Sequence, residues 1–175
     1  MATCATVVRG QSAPPTANSR YLLQLDRLEN GQFSCVLVQN DGHYHLELRL
    51  SEKPGFFEGS LPPHDLHDLT RMLSDEKLVH LKQNDIRSPF SETGRDILRL
   101  AIFRPGSEEQ ELYFPSPAFA FTDKVGPLLQ WFDRLQKRRA HKLSEDEGRN
   151  NCAIPGEKEI RLTERPGRAS NPPNR

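Results

Sequence analysis

Apolar and polar residues alternate through 20–28, 32–40 and 43–51, the period-2 signature of half-buried strands. Asn40-Asp41-Gly42 separates the last two stretches, and Asp-Gly is a strong cue for a two-residue hairpin loop. With Asp41 and Gly42 at the tip, Phe33 pairs with Leu50, Cys35 with Leu48 and Leu37 with Leu46, all on one face. The other face then pairs Ser34 with Arg49, Val36 with Glu47 and Val38 with His45. At Glu29-Asn30-Gly31 a two-residue loop puts Gln24 and Asp26 on that apolar face. A three-residue loop with Gly31 in a left-handed bulge instead aligns Leu23 with Leu37 and Leu25 with Cys35, and is the expected register. The three strands make a meander. Phe56-Phe57-Glu58-Gly59-Ser60 adds a fourth strand after a Pro54-Gly55 turn.

The period then changes. Pro62 and Pro63 suit the first turn of a helix, where a missing N–H is harmless. Leu66, Leu69 and Leu73 come next on one stripe, with Met72 beside them. Ser74 can cap a short second helix that Leu78, Val79 and Leu81 anchor. Residues 83–95 read as a polar loop, Ile97–Arg104 as a strand, and Pro105-Gly106-Ser107 as a turn to a partner at 110–114. Phe121, Val125, Leu128, Leu129, Phe132 and Leu135 form a clean helical stripe, with Trp131 at its edge. Gly126-Pro127 is expected to delay its regular start to about residue 127. Strands followed by helices, without βαβ alternation, predict an α+β domain. An antiparallel meander and a second hairpin share one sheet, with two main helices on one face.

Composition sharpens the boundaries. Hydrophobic residues make up 35% of the 175, and the 11 glycines bring the apolar share to about 41%, below the usual 45–50%. The deficit is local: only 8 of the 36 residues from 140 to 175 are hydrophobic, and none is aromatic. Such a segment buries too little apolar surface to offset its ordering entropy, so a disordered tail is expected at 140–175. Residues 1–18 read as an unpacked arm, which leaves one domain at 19–139. That domain carries 16 basic and 18 acidic residues, a balance of −2 that argues against a nucleic-acid partner. No run of 18 apolar residues is present to form a transmembrane helix.

Histidine is the most tempting chemistry. His43 and His45 share a strand face; His64 and His67 share a helix face with Asp68 adjacent. Imidazole and carboxylate are zinc ligands, so the two pairs are the candidate metal residues. In the expected register, however, His43 and His45 lie opposite the face on which the helix packs, and His64 and His67 point away from Leu66, Leu69 and Leu73. Structural or solvent-facing histidines are therefore expected, with no metal and no cofactor. Cys35, on the expected core face, reads as a small buried hydrophobe. Cys4 and Cys152 lie in opposite tails, where export would permit a bridge. Lys137-Arg138-Arg139 is the candidate anion-binding cluster, and its structural alternative is the last helical turn, where cations complement the helix dipole. No Gly-x-Ser-x-Gly elbow, phosphate-cradling loop or His-Glu-x-x-His helix occurs. Catalytic residues are accordingly not assigned.

The start leaves two readings open. Val8-Arg9-Gly10 before Gln11 has the small-residue spacing of a signal-peptidase site, so the arm is either the stub of an export signal or an unpacked cytoplasmic terminus. The order of elements is generally similar to small α+β domains in exported bacterial proteins, a likeness of pattern that transfers no site residue. The expected function is a non-enzymatic α+β domain, exported if the start is a truncated signal. Its role would be structural or the binding of a protein or envelope component. The alternative is a small hydrolase or metal-dependent enzyme using the 83–95 loop or the histidines. For that alternative, Asp85, Arg87, Arg95 and Asp96 would have to converge in a cleft.

Overall fold

Strand β1 (Tyr21–Glu29) turns into β2 (Gln32–Gln39) through Asn30 and Gly31, whose φ angles of 52° and 76° are both positive. That is a two-residue primed turn, which matches the right-handed twist of its strands. The computed structural model describes residues 20–50, 53–86, 97–115, 122–138, 140–148 and 152. Most of the two expected unpacked ends, residues 87–95 of the polar loop, and Asp96 lie outside the described residues. β3 (His43–Leu50) and β4 (Lys53–Ser60) continue the meander, and β4 already includes Pro54 and Gly55, where a turn was expected. β5 (Ile97–Ile102) and β6 (Gln110–Pro115) form the second hairpin, and β7 (His141–Leu143) pairs with β4. The result is one seven-stranded antiparallel sheet in the order β6-β5-β1-β2-β3-β4-β7. The predicted α+β architecture is present.

Both expected registers differ from the observed ones by one residue. Leu23 pairs with Val38 and Leu25 with Val36, so the Asn-Gly loop is the shorter turn. The Asn40-Asp41-Gly42 loop is the longer one, with Gly42 at φ 87° and Cys35 opposite Glu47, Val36 opposite Leu46 and Val38 opposite Tyr44. The physical reason lies on the second face. Gln24, Asp26, His45, Glu47 and Arg99 are buried there, so polarity did not mark a solvent side. A buried polar side chain is tolerated when partnered.

The face formed by Leu23, Leu25, Val36, Val38, Leu46, Leu98, Leu100, Leu112 and Phe114 packs with the helices. α1 (Pro63–Leu73) contributes Leu69 and Leu73, and α2 (Glu76–Val79) contributes Leu78. Asp75, one residue later than expected, caps α2 by accepting from the Lys77 N–H at 2.9 Å. α3 (Thr122–Gln136) contributes Val125, Leu128, Trp131, Phe132 and Leu135. It begins before Pro127, not after it; Pro127 is exposed and sits early in the helix. Trp131 is buried in the cluster where the stripe had placed it at an edge. At the β6 edge, the Gln83 side chain accepts from the Tyr113 N–H and donates to the Tyr113 carbonyl. An amide thus occupies backbone groups that another strand could otherwise pair with.

The chain does not end its ordered course at 139. β7 adds the seventh strand, and α4 (Glu145–Gly148) packs against β4. Ser144 caps α4 through a reciprocal pair with Glu147, whose carboxylate accepts from the Ser144 hydroxyl and N–H. Gly148 is buried, and a Cβ there would overlap the Cβ of Phe56 on β4. Gly148→Ala is therefore expected to push α4 away from β4 and lower stability by about 1–3 kcal/mol, the scale of overpacking. Urea denaturation and hydrogen exchange at His141–Leu143 check this; unchanged protection of β7 contradicts the packing described.

Candidate functional site

The sheet face away from α1 and α3 collects the groups with chemistry. Strand alternation places Cys35, His43, His45, Glu47, Glu58, Arg99, Glu111, Tyr113 and His141 on that one side. At its centre Arg99 donates to Asp26 at 3.1 Å and to Glu111 at 2.8 Å. The Tyr113 hydroxyl donates to the same Glu111 carboxylate at 2.7 Å. Burial favours the neutral acid at Glu111, but the bonds from Tyr113 and Arg99 outweigh it and hold the carboxyl below its ordinary 4.5. Burial and the bond to Glu111 push the Tyr113 phenol up to about 12.

Next to this network Cys35 is bonded to Cys152 across 117 positions of sequence, with Cα atoms 6.3 Å apart. Both cysteines are buried. Cys35 is thus one half of a disulfide rather than the free, hydrophobe-like thiol expected, and Cys152 belongs to the fold. Glu47 is buried beside the bridge and pairs with Arg49 at 2.5 Å. Cys35, Glu47 and Cys152 bring their ligand atoms within 4.8 Å of one another, but the two sulfurs hold each other and offer no thiolate to a metal.

A second cluster lies toward the β7 edge. His43, His45, Glu58, Ser60 and His141 line a cavity of about 360 Å³, with Gln39, Tyr44 and Gly59 completing its walls. His45 is 7% exposed, and neither of its ring nitrogens has a hydrogen-bond partner. Burial pulls its pKa below the ordinary 6.5, against an opposing influence from Glu58, so the ring is neutral at pH 7. His43 Nδ1 lies 3.0 Å from Ser60 Oγ. His64 and His67 are exposed on α1, in the other layer, and do not join this cluster. His141 does join it, from a segment read as tail.

The basic cluster is divided. Arg138 pairs with Asp65 of α1 at 2.5 Å, and the bond from Arg138, more than the opposing effect of burial, lowers the Asp65 pKa. Lys137 is exposed, and Arg139 lies outside the described residues. Arg138 therefore ties the end of α3 to the start of α1. Near the expected polar loop, Gln83, Arg104, Glu108 and Glu111 help line another cavity of about 460 Å³. Arg104 is engaged structurally: its guanidinium donates to the Leu73 carbonyl and to Gln110 Oε1. Arg87, Arg95 and Asp96 lie outside the described residues, so their convergence with Asp85 has no structural description.

Removing Arg99 takes the cation from two carboxylates, one of them deeply placed. Arg99→Met is expected to lower unfolding free energy by about 3–5 kcal/mol, as for other broken buried ion pairs. Glu111 also sets a pH dependence. Because its folded value is depressed, its contribution is present above 4.5 and is lost as pH falls through the lower folded value. Thermal unfolding across pH 2–7 should show a shallower acid loss in Glu111→Gln than in the parent chain; parallel curves contradict the assignment.

Compared with known proteins, the chain matches no family model, no curated protein and no solved structure.

Proposed function

We propose that this chain is a non-enzymatic α+β domain that works in an oxidising compartment, with a structural role or as a binding partner for a protein or envelope component. The observation that carries the reading is the buried Cys35–Cys152 bridge. Disulfides form and persist in secreted, periplasmic and surface proteins and are rare in a reducing cytosol. This favours export over a cytoplasmic location. The ionic groups at the sheet centre also support a non-catalytic role. Arg99 is engaged by Asp26 and Glu111 across β1, β5 and β6, and Glu47 by Arg49 within β3, so these charges are held in structural pairs.

The bridge closes a loop of over a hundred residues, and the chain-entropy scale puts its stabilisation at about 2–5 kcal/mol. Protein taken from its source cells under acid quench should show Cys35 and Cys152 closed to alkylation when unfolded without reductant, and both alkylated after reduction. Reduction should also lower the unfolding midpoint in urea. Recovery of the protein with the extracytoplasmic fraction is the expected location. Free thiols at Cys35 and Cys152 in freshly quenched protein, or retention in the cytosol, would reject the reading.

A further inference from the structure

We propose that the cavity bounded by His43, His45, Glu58 and His141 binds a divalent transition-metal ion, with zinc as the best match to its donors. His43 and His45 are two apart on β3 and project to the same side, and Glu58 lies directly opposite His45 on β4. Opposed residues on antiparallel strands have Cβ atoms about 4.5–5.5 Å apart, close enough for two such side chains to meet one ion. His141 lies opposite Glu58 on β7 and approaches from the rim. Three imidazoles and one carboxylate are a borderline nitrogen-oxygen donor set, which suits zinc better than calcium or magnesium.

The buried member of the set points to a ligand. His45 is only 7% exposed, and both its nitrogens lack a partner while the ring lines the cavity. Leaving such a donor unsatisfied is unfavourable, and a bound cation would accept its lone pair. At His43, Nδ1 lies 3.0 Å from Ser60 Oγ; the tautomer that donates Nδ1–H there leaves Nε2 with its lone pair, the arrangement by which an outer partner orients a metal-binding imidazole. Among the described residues no three of these four groups already bring ligand atoms within 4.8 Å of one another. Closure therefore needs rotamer changes, and Glu58 and His141 are exposed side chains that can make them. The carboxylate also sets the sign of the ligand: Glu58 in the wall of the cavity favours a cation over an anion.

The test is titration of the untagged, disulfide-intact full chain with Zn²⁺ by calorimetry, with Co²⁺ absorption as the spectroscopic readout. One equivalent should bind, and tetrahedral or five-coordinate Co²⁺ bands should appear. His43→Ala and Glu58→Gln, at exposed positions, should each weaken Zn²⁺ binding at least tenfold, the scale on which even outer-partner losses are felt. His45→Gln should do the same, with its circular dichroism compared to the parent. His64→Ala and His67→Ala should leave affinity unchanged. The proposal is overturned if no equivalent binds below about 100 µM, a free energy near −5.5 kcal/mol. It is equally overturned if His43→Ala and Glu58→Gln bind as the parent does, or if the α1 histidines carry the affinity.

Discussion

The structure depends on the burial of both faces of one sheet. Helices α1 and α3 cover one face with an apolar cluster, as an antiparallel sheet commonly allows. On the other, α4 packs on β4 through Phe56, and Cys152 is covalently fixed to Cys35 near the middle of the sheet. Charge at that centre cannot be left to water. Arg99, with a side chain 6% exposed, satisfies Asp26 and Glu111 across β1, β5 and β6. Such pairs do little for net stability, because desolvation offsets their attraction. Their effect is on register. A one-residue slip of β1 would carry Asp26 to the apolar side, away from Arg99, so the ionic row and the hydrophobic row specify the same alignment.

That double specification explains what was legible in the chain. The strands, the two main helices and the α+β class follow from period, Pro63 and turn residues, because those signals are local. Register was not legible, because hydropathy alone marks one face as apolar and the other as wet. Phe33, Cys35 and Leu37 look like a core stripe, yet Ser34, Val36 and Val38 face the helices. Gln24 and Asp26 weighed against the short Asn-Gly turn, although Asn30 and Gly31 both carry the positive φ that this turn requires. The informative signal was opposite charge within otherwise apolar strands: Asp26 in β1 and Arg99 in β5. Pairing those two across the sheet would have pointed to a buried second face.

Composition misplaced the C-terminal boundary for a related reason. Residues 140–148 lack the apolar content of an independent element, and β7 is only three residues long. A strand that short is held by its pairing partner and by the anchoring of the chain just beyond it. Here β4 supplies the ladder, Gly148 allows close approach to Phe56, and the disulfide anchors the segment four positions later. None of these registers in a hydropathy average. Cys152 carried the clue, since a second cysteine with access to an oxidising environment needs no hydrophobic neighbours to be fixed.

The histidine pairs show the same division between local and long-range information. That His43 and His45 share a face is a property of the strand. Their separation from His64 and His67 into a different layer holds in the structure, because Leu46 and Leu48 face the helices as expected; only β2 is turned over, with Val36 rather than Cys35 on that side. What the chain did not display is the row His45, Glu58, His141, which exists only once β3, β4 and β7 are neighbours. His141 and Cys152 lie on one short segment. The β4 ladder sets His141 opposite Glu58, and the bridge fixes the chain to the sheet eleven positions later. The proposed cation site and the disulfide are thus two consequences of one constraint: the return of the C-terminal segment across the face that the helices leave uncovered.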